Sequence, residues 1–218
     1  GDDTAAAGIN IKNTVAAGIT GNGSWVVNCF NYGSVTAKSG KAAAITYEGY
    51  DINSNCCYLA GSAGINPVDA SNGYAYDAAA FSSGEVAYAL DKGDDPNRLE
   101  NWGQGGNYPV PASSENPAVY KMTIEVTGDG ENKVKYKDIE IAAGNADYTY
   151  VYAGKRFDFQ YEVSDGYLLD NISFGTGDLS AVLDEESKTF SFTMRGNENI
   201  SVFVKFVQIP EGLKDTYT

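Results

Sequence analysis

The sequence predicts an all-β protein in two parts: the last coils and the cap of a parallel β-solenoid, then an antiparallel β-sandwich or β-grasp-like module. Three observations predict this. A unit of about 26 residues recurs near the start of the chain. The composition, with 25 Gly, 16 Tyr and few long charged side chains, suits short strands and tight turns rather than long helices. From Ala118 onward, apolar and polar residues alternate with period two.

The repeat occupies residues 1–66. "AAGIT" at 16–20 returns as "AAAIT" at 42–46, and "NCFNYGS" at 28–34 returns as "NCCYLAGS" at 55–62 with one residue inserted. Each unit holds two or three strand-length pieces between Gly/Asn/Ser turns, as a solenoid coil requires. Stacking at this spacing places Ile19 on Ile45 and Cys29 on Cys56, all pointing inward, and makes Asn28 and Asn55 a hydrogen-bonded turn ladder. The alanines suit a narrow interior. Trp25 has no tryptophan at the equivalent position of the next unit, where Tyr50 or Asp51 stands, and marks either a partner-facing edge or a wide spot in the core.

The stretches "AAGITGNGSWVVNCFNYGSVTA" and "AAAITYEGYDINSNCCYLAGSAG" resemble GLUG-type repeats of large bacterial surface proteins, over about residues 5–64. The resemblance implies a right-handed parallel β-helix in a secreted or cell-wall-associated protein of gut or other bacteria. It also implies upstream repeats in a longer chain, so that the first coil here would present an open edge. The abrupt start Gly1-Asp2-Asp3 fits a fragment of such a chain.

Residues 67–117 break the repeat and read as a cap. "FSSGEVAYALDKG" predicts one short helix of about two turns, with Ser82 as N-cap, Glu85 three residues on, Val86, Ala89 and Leu90 on one face, and Gly93 as the stop. "NWGQGGNYPVP" follows as a Gly/Pro-rich loop carrying Trp102 and Tyr108. The arrangement is similar to the region that closes GLUG-bearing solenoids, which puts Val86, Leu90 and Trp102 over the last coil.

Residues 118–209 form the second module, and 210–218 a tail. Alternation gives Met122, Ile124 and Val126 one face; Phe157, Phe159, Tyr161 and Val163 another; and Ile200, Val202, Val204 and Phe206 a third. "SDGYLLDNISF" and "FSFTMRGNENISVFVKF" are similar to the bacterial repeat module related to the divergent internalin B-repeat, with Arg195 where Pro is usual and Asn199 where Asp is usual. The resemblance implies a stalk or interaction module without catalytic residues.

The net charge of −14 is spread evenly, with 5 basic against 12 acidic residues in the first 117 and 10 against 17 in the remainder. No basic cluster exists for a nucleic-acid backbone, and no apolar run is long enough to insert in a membrane. The absence of histidine excludes within this chain a Ser-His-Asp triad, a Cys-His pair and a His-ligated zinc site. The three cysteines, Cys29, Cys56 and Cys57, exclude a disulfide framework and leave open one bond from Cys29 to Cys56 or to Cys57.

Three places could carry chemistry. Asp91, Asp94, Asp95 and Asn97 offer hard oxygens for calcium, but not in EF-hand order; a solvated acidic turn is the simpler reading, with no cofactor. Trp102 and Tyr108, or Tyr148, Tyr150 and Tyr152, could stack on sugar rings, against the alternative that they pack in the core. Glu48 and Asp51, near Lys38 and Lys41, are the carboxylates the repeats offer to glycosidase chemistry. The resulting expectation is a non-catalytic scaffold, spacer or adhesion module whose partner is a glycan or a host surface protein. The alternative is an accessory or catalytic part of a polysaccharide-degrading β-helix enzyme.

Overall fold

The computed structural model describes residues 9–11, 15–22, 26–37, 41–48, 53–64, 73–92, 101–175, 179–195 and 198–212. The chain divides into two units, Gly1–Val119 and Tyr120–Thr218. The protein is all-β in class; the two helices among the described residues are short and lie in the first unit.

The first unit traces its path twice. β1 (Ile9–Ile11), β2 (Val15–Ala17), β3 (Thr20–Asn22), β4 (Val26–Val27) and β5 (Phe30–Asn31) make one pass. β6 (Val35–Ala37), β7 (Lys41–Ala43), β8 (Thr46–Glu48), β9 (Asn53–Ser54) and β10 (Cys57–Leu59) make the next. Each strand pairs in parallel with its counterpart, so Ala16 lies beside Ala42, Thr20 beside Thr46, Val26 beside Asn53 and Phe30 beside Cys57. Parallel partners need a long connection, which the remainder of the pass supplies. The inserted residue of the second unit falls in the turn at 60–61, after which Val35 bridges Ala63.

Local chemistry sets the corners. Asn28 and Asn55 both adopt positive φ, 50° and 55°, which asparagine tolerates better than most residues. The Asn55 side-chain amide donates to Asn28 Oδ1 at 2.7 Å, forming the ladder expected from the repeat. Gly18 lies so close to the second pass that a Cβ there would overlap the Ala44 carbonyl oxygen. That carbonyl accepts from the Asn31 amide at 2.9 Å, and Asn31 Oδ1 accepts from the Gly33 N–H at 2.9 Å. Buried Asn31 is thus satisfied on both sides.

Ala16, Val35, Ala37 and Ala42 fill one small cluster; Val26, Ile45 and Cys56 fill another, with Cys29 and Tyr58 against it. Ile19 departs from expectation. Its N–H donates to the Ile45 carbonyl at 2.9 Å, yet its side chain is 45% exposed. Ile45 is covered by Val26 and Cys56, whereas Ile19, at the equivalent bend of the first pass, joins none of the buried clusters among the described residues.

β11 (Tyr74–Tyr76) adds a third parallel strand beside β10, and α1 (Ala78–Ser83), α2 (Glu85–Asp91), β12 (Trp102–Gln104) and β13 (Pro109–Pro111) follow. The single helix capped by Ser82 is corrected to two helices. Asp77 caps α1, accepting from the Ala80 N–H at 2.8 Å, while Ser82 Oγ donates back to the Ala79 carbonyl at 3.0 Å. A carboxylate ahead of an alanine run starts the helix earlier than the serine could. Gly84, at φ +94°, then breaks it before α2. Phe81, Val86 and Leu90 bury themselves against Cys57, with Phe30, Trp102 and Tyr108 packed around them. The predicted stop, Gly93, lies outside the described residues. The Gly/Pro-rich segment forms the antiparallel hairpin of β12 and β13.

In the second unit, β14 (Val119–Thr127), β15 (Lys133–Tyr136), β16 (Ile139–Ala142), β17 (Asn145–Tyr152), β18 (Arg156–Glu162), β19 (Tyr167–Phe174), β20 (Val182–Asp184), β21 (Thr189–Thr193) and β22 (Ile200–Gln208) form two sheets. Their orders are β17-β14-β22-β19 and β16-β15-β18-β21-β20. Of the residues that alternation assigned inward, Met122, Ile124, Val126, Phe157, Phe159, Tyr161, Ile200, Val202, Val204 and Phe206 join one buried cluster with Phe190, Phe192 and Met194, while Val163 packs against it partly buried. The expectation of an antiparallel module is corrected at its centre. β14 and β22 run parallel, Met122 beside Ile200 through Thr127 beside Lys205, because the intervening chain builds the other strands before returning.

The two motif-bearing turns also have structural work. Asn132 Oδ1 accepts from the Ser164 N–H at 2.8 Å and its hydroxyl at 3.0 Å, tying the turn after β14 to the Asp165-Gly166 turn. Asn199 Oδ1 accepts from the Lys121 N–H at 3.0 Å, aligning the entry of β22 with β14.

Replacing Asn55 tests the ladder. Asn55→Ala should lower stability by about 2 kcal/mol, through the lost donor and the left-handed backbone. Asn55→Gly, which accepts that backbone, should lose roughly half as much in urea denaturation followed by circular dichroism.

Candidate functional site

The residues proposed from sequence fall into different surroundings. Trp102 and Tyr108 are packed into the first unit's aromatic cluster: the Trp102 ring meets Phe30 edge-on at 5.8 Å, and Tyr108 lies 6.1 Å from Tyr32. Asp91 Oδ1 accepts from the Trp102 N–H at 2.7 Å, fastening β12 to the end of α2. Asp94, Asp95 and Asn97 lie outside the described residues, as do Trp25, Asp51 and Lys38. Among the described residues, no group of three or more His, Cys, Asp or Glu is gathered to hold a metal.

Tyr148, Tyr150 and Tyr152 are arranged differently. They occupy alternate positions of β17, the edge strand of the four-stranded sheet, out of phase with core residue Val151. The Tyr148 and Tyr150 rings touch edge to face at 5.9 Å and 80°. Lys121 Nζ stands 3.8 Å from the centre of the Tyr148 ring, close enough for a cation–π contact that steadies it. Tyr148 is exposed and Tyr150 half-buried. Tyr152 is half-buried, and desolvation, then the nearby Tyr136 phenol, holds its own phenol above the ordinary range.

The same outer face continues across the sheet. Thr123 and Glu125 on β14 lie beside Ser201 and Phe203 on β22, and Phe203 lies beside Ser173 on β19. Phe203 is 36% exposed although its neighbours Val202 and Val204 are in the core. This face therefore combines aromatic rings at two places with hydroxyls, a carboxylate and the Lys121 ammonium. Such a surface can stack on the C–H side of a sugar while hydrogen-bonding its hydroxyls. Sequence reasoning missed Lys121 and Phe203. The signal for Phe203 was its outward phase in "ISVFVKF", where a polar residue would be expected.

No family model matches the chain. No curated protein matches it at a significant level. Among solved structures, a bacterial adhesin from Mobiluncus mulieris containing intramolecular disulfide, isopeptide and ester bond cross-links is similar at 12% identity, with a TM-score of 0.30. The match spans 49% of this chain and 50% of that one.

The outer face of the five-stranded sheet is electrostatically closed by comparison. Lys133 Nζ contacts Glu140 and Glu162 at 3.1 and 3.2 Å, and Lys135 contacts the same two carboxylates, in a checkerboard across β15, β16 and β18. Hydrogen bonds from the lysines, Lys133 foremost for Glu140 and Lys135 foremost for Glu162, hold both carboxyls below their usual range. Their stabilisation is therefore complete above the unfolded carboxylate pKa and is lost as pH falls through the lower folded values. The urea midpoint of the chain should exceed that of a Glu140→Gln/Glu162→Gln variant by a small, salt-sensitive margin at neutral pH, and the two should converge in strong acid.

Proposed function

We propose that this chain is a non-catalytic module of a secreted or cell-surface bacterial protein, in which a stacked β scaffold carries a second β module with an adhesive face. The observation that carries the reading is the Tyr148–Tyr150 pair on the outer face of β17, in which Tyr148 is exposed, with Phe203 exposed on the same sheet two strands away. Its ligand is a glycan, bound by stacking on Tyr148 and Tyr150.

The first unit is proposed to be the end of a right-handed parallel β-helix of the GLUG type. Support comes from five strand pairs all parallel and all displaced by one repeat, and from the docking of α2 on the last pass. The second unit is proposed to be a β-grasp-like sandwich, supported by its two sheets around one cluster and by the parallel pairing of β14 and β22. No helix among the described residues is long and apolar enough to cross a membrane. An extracellular, wall-associated location is part of the proposal.

A glycan array probed with the full chain, followed by product analysis on every binder, tests this. Binding without turnover is expected, with Tyr148→Ala and Tyr150→Ala each weakening it about five-fold, the equivalent of about 1 kcal/mol per lost ring. Turnover of any polymer would contradict a non-catalytic module. Binding that survives both substitutions would contradict the face, and failure to bind any glycan would leave the spacer role alone.

A further inference from the structure

Cys29 and Cys56 occupy the same place in successive passes of the first unit. The register is fixed on both sides of them: Val27 lies beside Ser54, Asn28 is hydrogen-bonded to Asn55, and Phe30 lies beside Cys57. The Cys57 N–H donates to the Cys29 carbonyl at 2.9 Å, so the backbones at this point are direct neighbours. Neighbouring strands stand about 4.8 Å apart, inside the range of about 4.4 to 6.8 Å that a disulfide spans between α-carbons.

Both side chains enter the same apolar cluster, with Val26 and Ile45. Cys57 enters a different one, with Phe81, Val86 and Leu90, because consecutive residues of an extended chain point to opposite sides. All three are free thiols in the structure.

We infer that Cys29 and Cys56 are a built cross-linking site, closed to a disulfide between successive passes by thiol–disulfide exchange with a small-molecule or protein disulfide. Cys29, half-buried, is the residue an external disulfide can reach; Cys56 is fully buried and acts only from within. The Cys29 thiolate attacks one sulfur of the oxidant RSSR, breaking its S–S bond, forming a mixed disulfide and releasing RS⁻. Cys56 then loses its proton and attacks Cys29 Sγ, and the second RS⁻ departs. Two protein thiols are oxidised, one disulfide is reduced to two thiols, and the released thiolates take up the two protons.

The environment fits this order of events. The adjoining Cys56 thiol lowers Cys29 to about 7, whereas Cys56 itself is pushed up by that same contact and by burial. Burial alone raises Cys57 to about 12, which leaves it inert.

Treating the full chain with oxidised glutathione at mildly alkaline pH, then blocking with N-ethylmaleimide and peptide mapping, reads the outcome directly. The expected product is a Cys29–Cys56 linked peptide, with Cys57 blocked only after unfolding. Cys56→Ala should instead accumulate the glutathione adduct on Cys29. A bond to Cys57, a persistent glutathione adduct on Cys29 in the unaltered chain, or no reaction would each overturn the assignment, and the unaltered chain gives this answer even if the variant fails to fold.

Discussion

The first unit depends on one side-chain amide. Asn55 Nδ2 donates to Asn28 Oδ1 in the pass below and to the Leu90 carbonyl, at 2.8 Å, at the end of α2. A single group therefore ties the turns of two paired passes together and fastens the end of the helix to them. The orphan carbonyls that close every helix need such partners when they are buried. Elsewhere in the passes, where Ala16, Ala37 and Ala42 surround Val35, the interior has little apolar bulk, and polar contacts such as this one help to fix the register.

The second unit rests on a different constraint. Its strands are long enough for period-two alternation to commit every other side chain to one shared core, where a slip by one residue would expose the whole set. Phe159 and Phe190 stack with centroids 4.6 Å apart, and Phe174 meets Phe192 edge-on at 4.7 Å, so rings from both sheets interlock. With the inward faces so determined, the outward faces are free to differ. One is saturated by the lysine–glutamate checkerboard, and the other is left with tyrosines and a phenylalanine.

Much of this was legible in the residues. "AAGIT" over "AAAIT" gave the register of β2 and β3 with β7 and β8, and the asparagines of "NCF" and "NCC" marked the ladder. What could not be read was set by neighbours distant in sequence. Ile19 has the same local pattern as Ile45 and differs only in what covers it. The helix start moved because Asp77 outcompetes Ser82, a contest between two plausible caps a few residues apart. The parallel pairing of β14 with β22 has no local signature, since alternation is the same whichever way a partner runs. At the site, period two placed the tyrosines on one face, but Lys121 reaches Tyr148 only because β14 and β17 are adjacent, which is a property of the sheet order.

The two units are held differently: the first by parallel strand pairs and side-chain hydrogen bonds between passes, the second by a packed core whose surface can vary without disturbing it. The parallel register of the first unit underlies everything built on it. Interstrand nuclear Overhauser contacts in the isotopically labelled chain test that most directly. Contacts of Val26 with Asn53 and of Phe30 with Cys57, together with the Asn55 side-chain amide close to Asn28, are predicted. Hairpin contacts between residues 26–31 and 35–37 would contradict it.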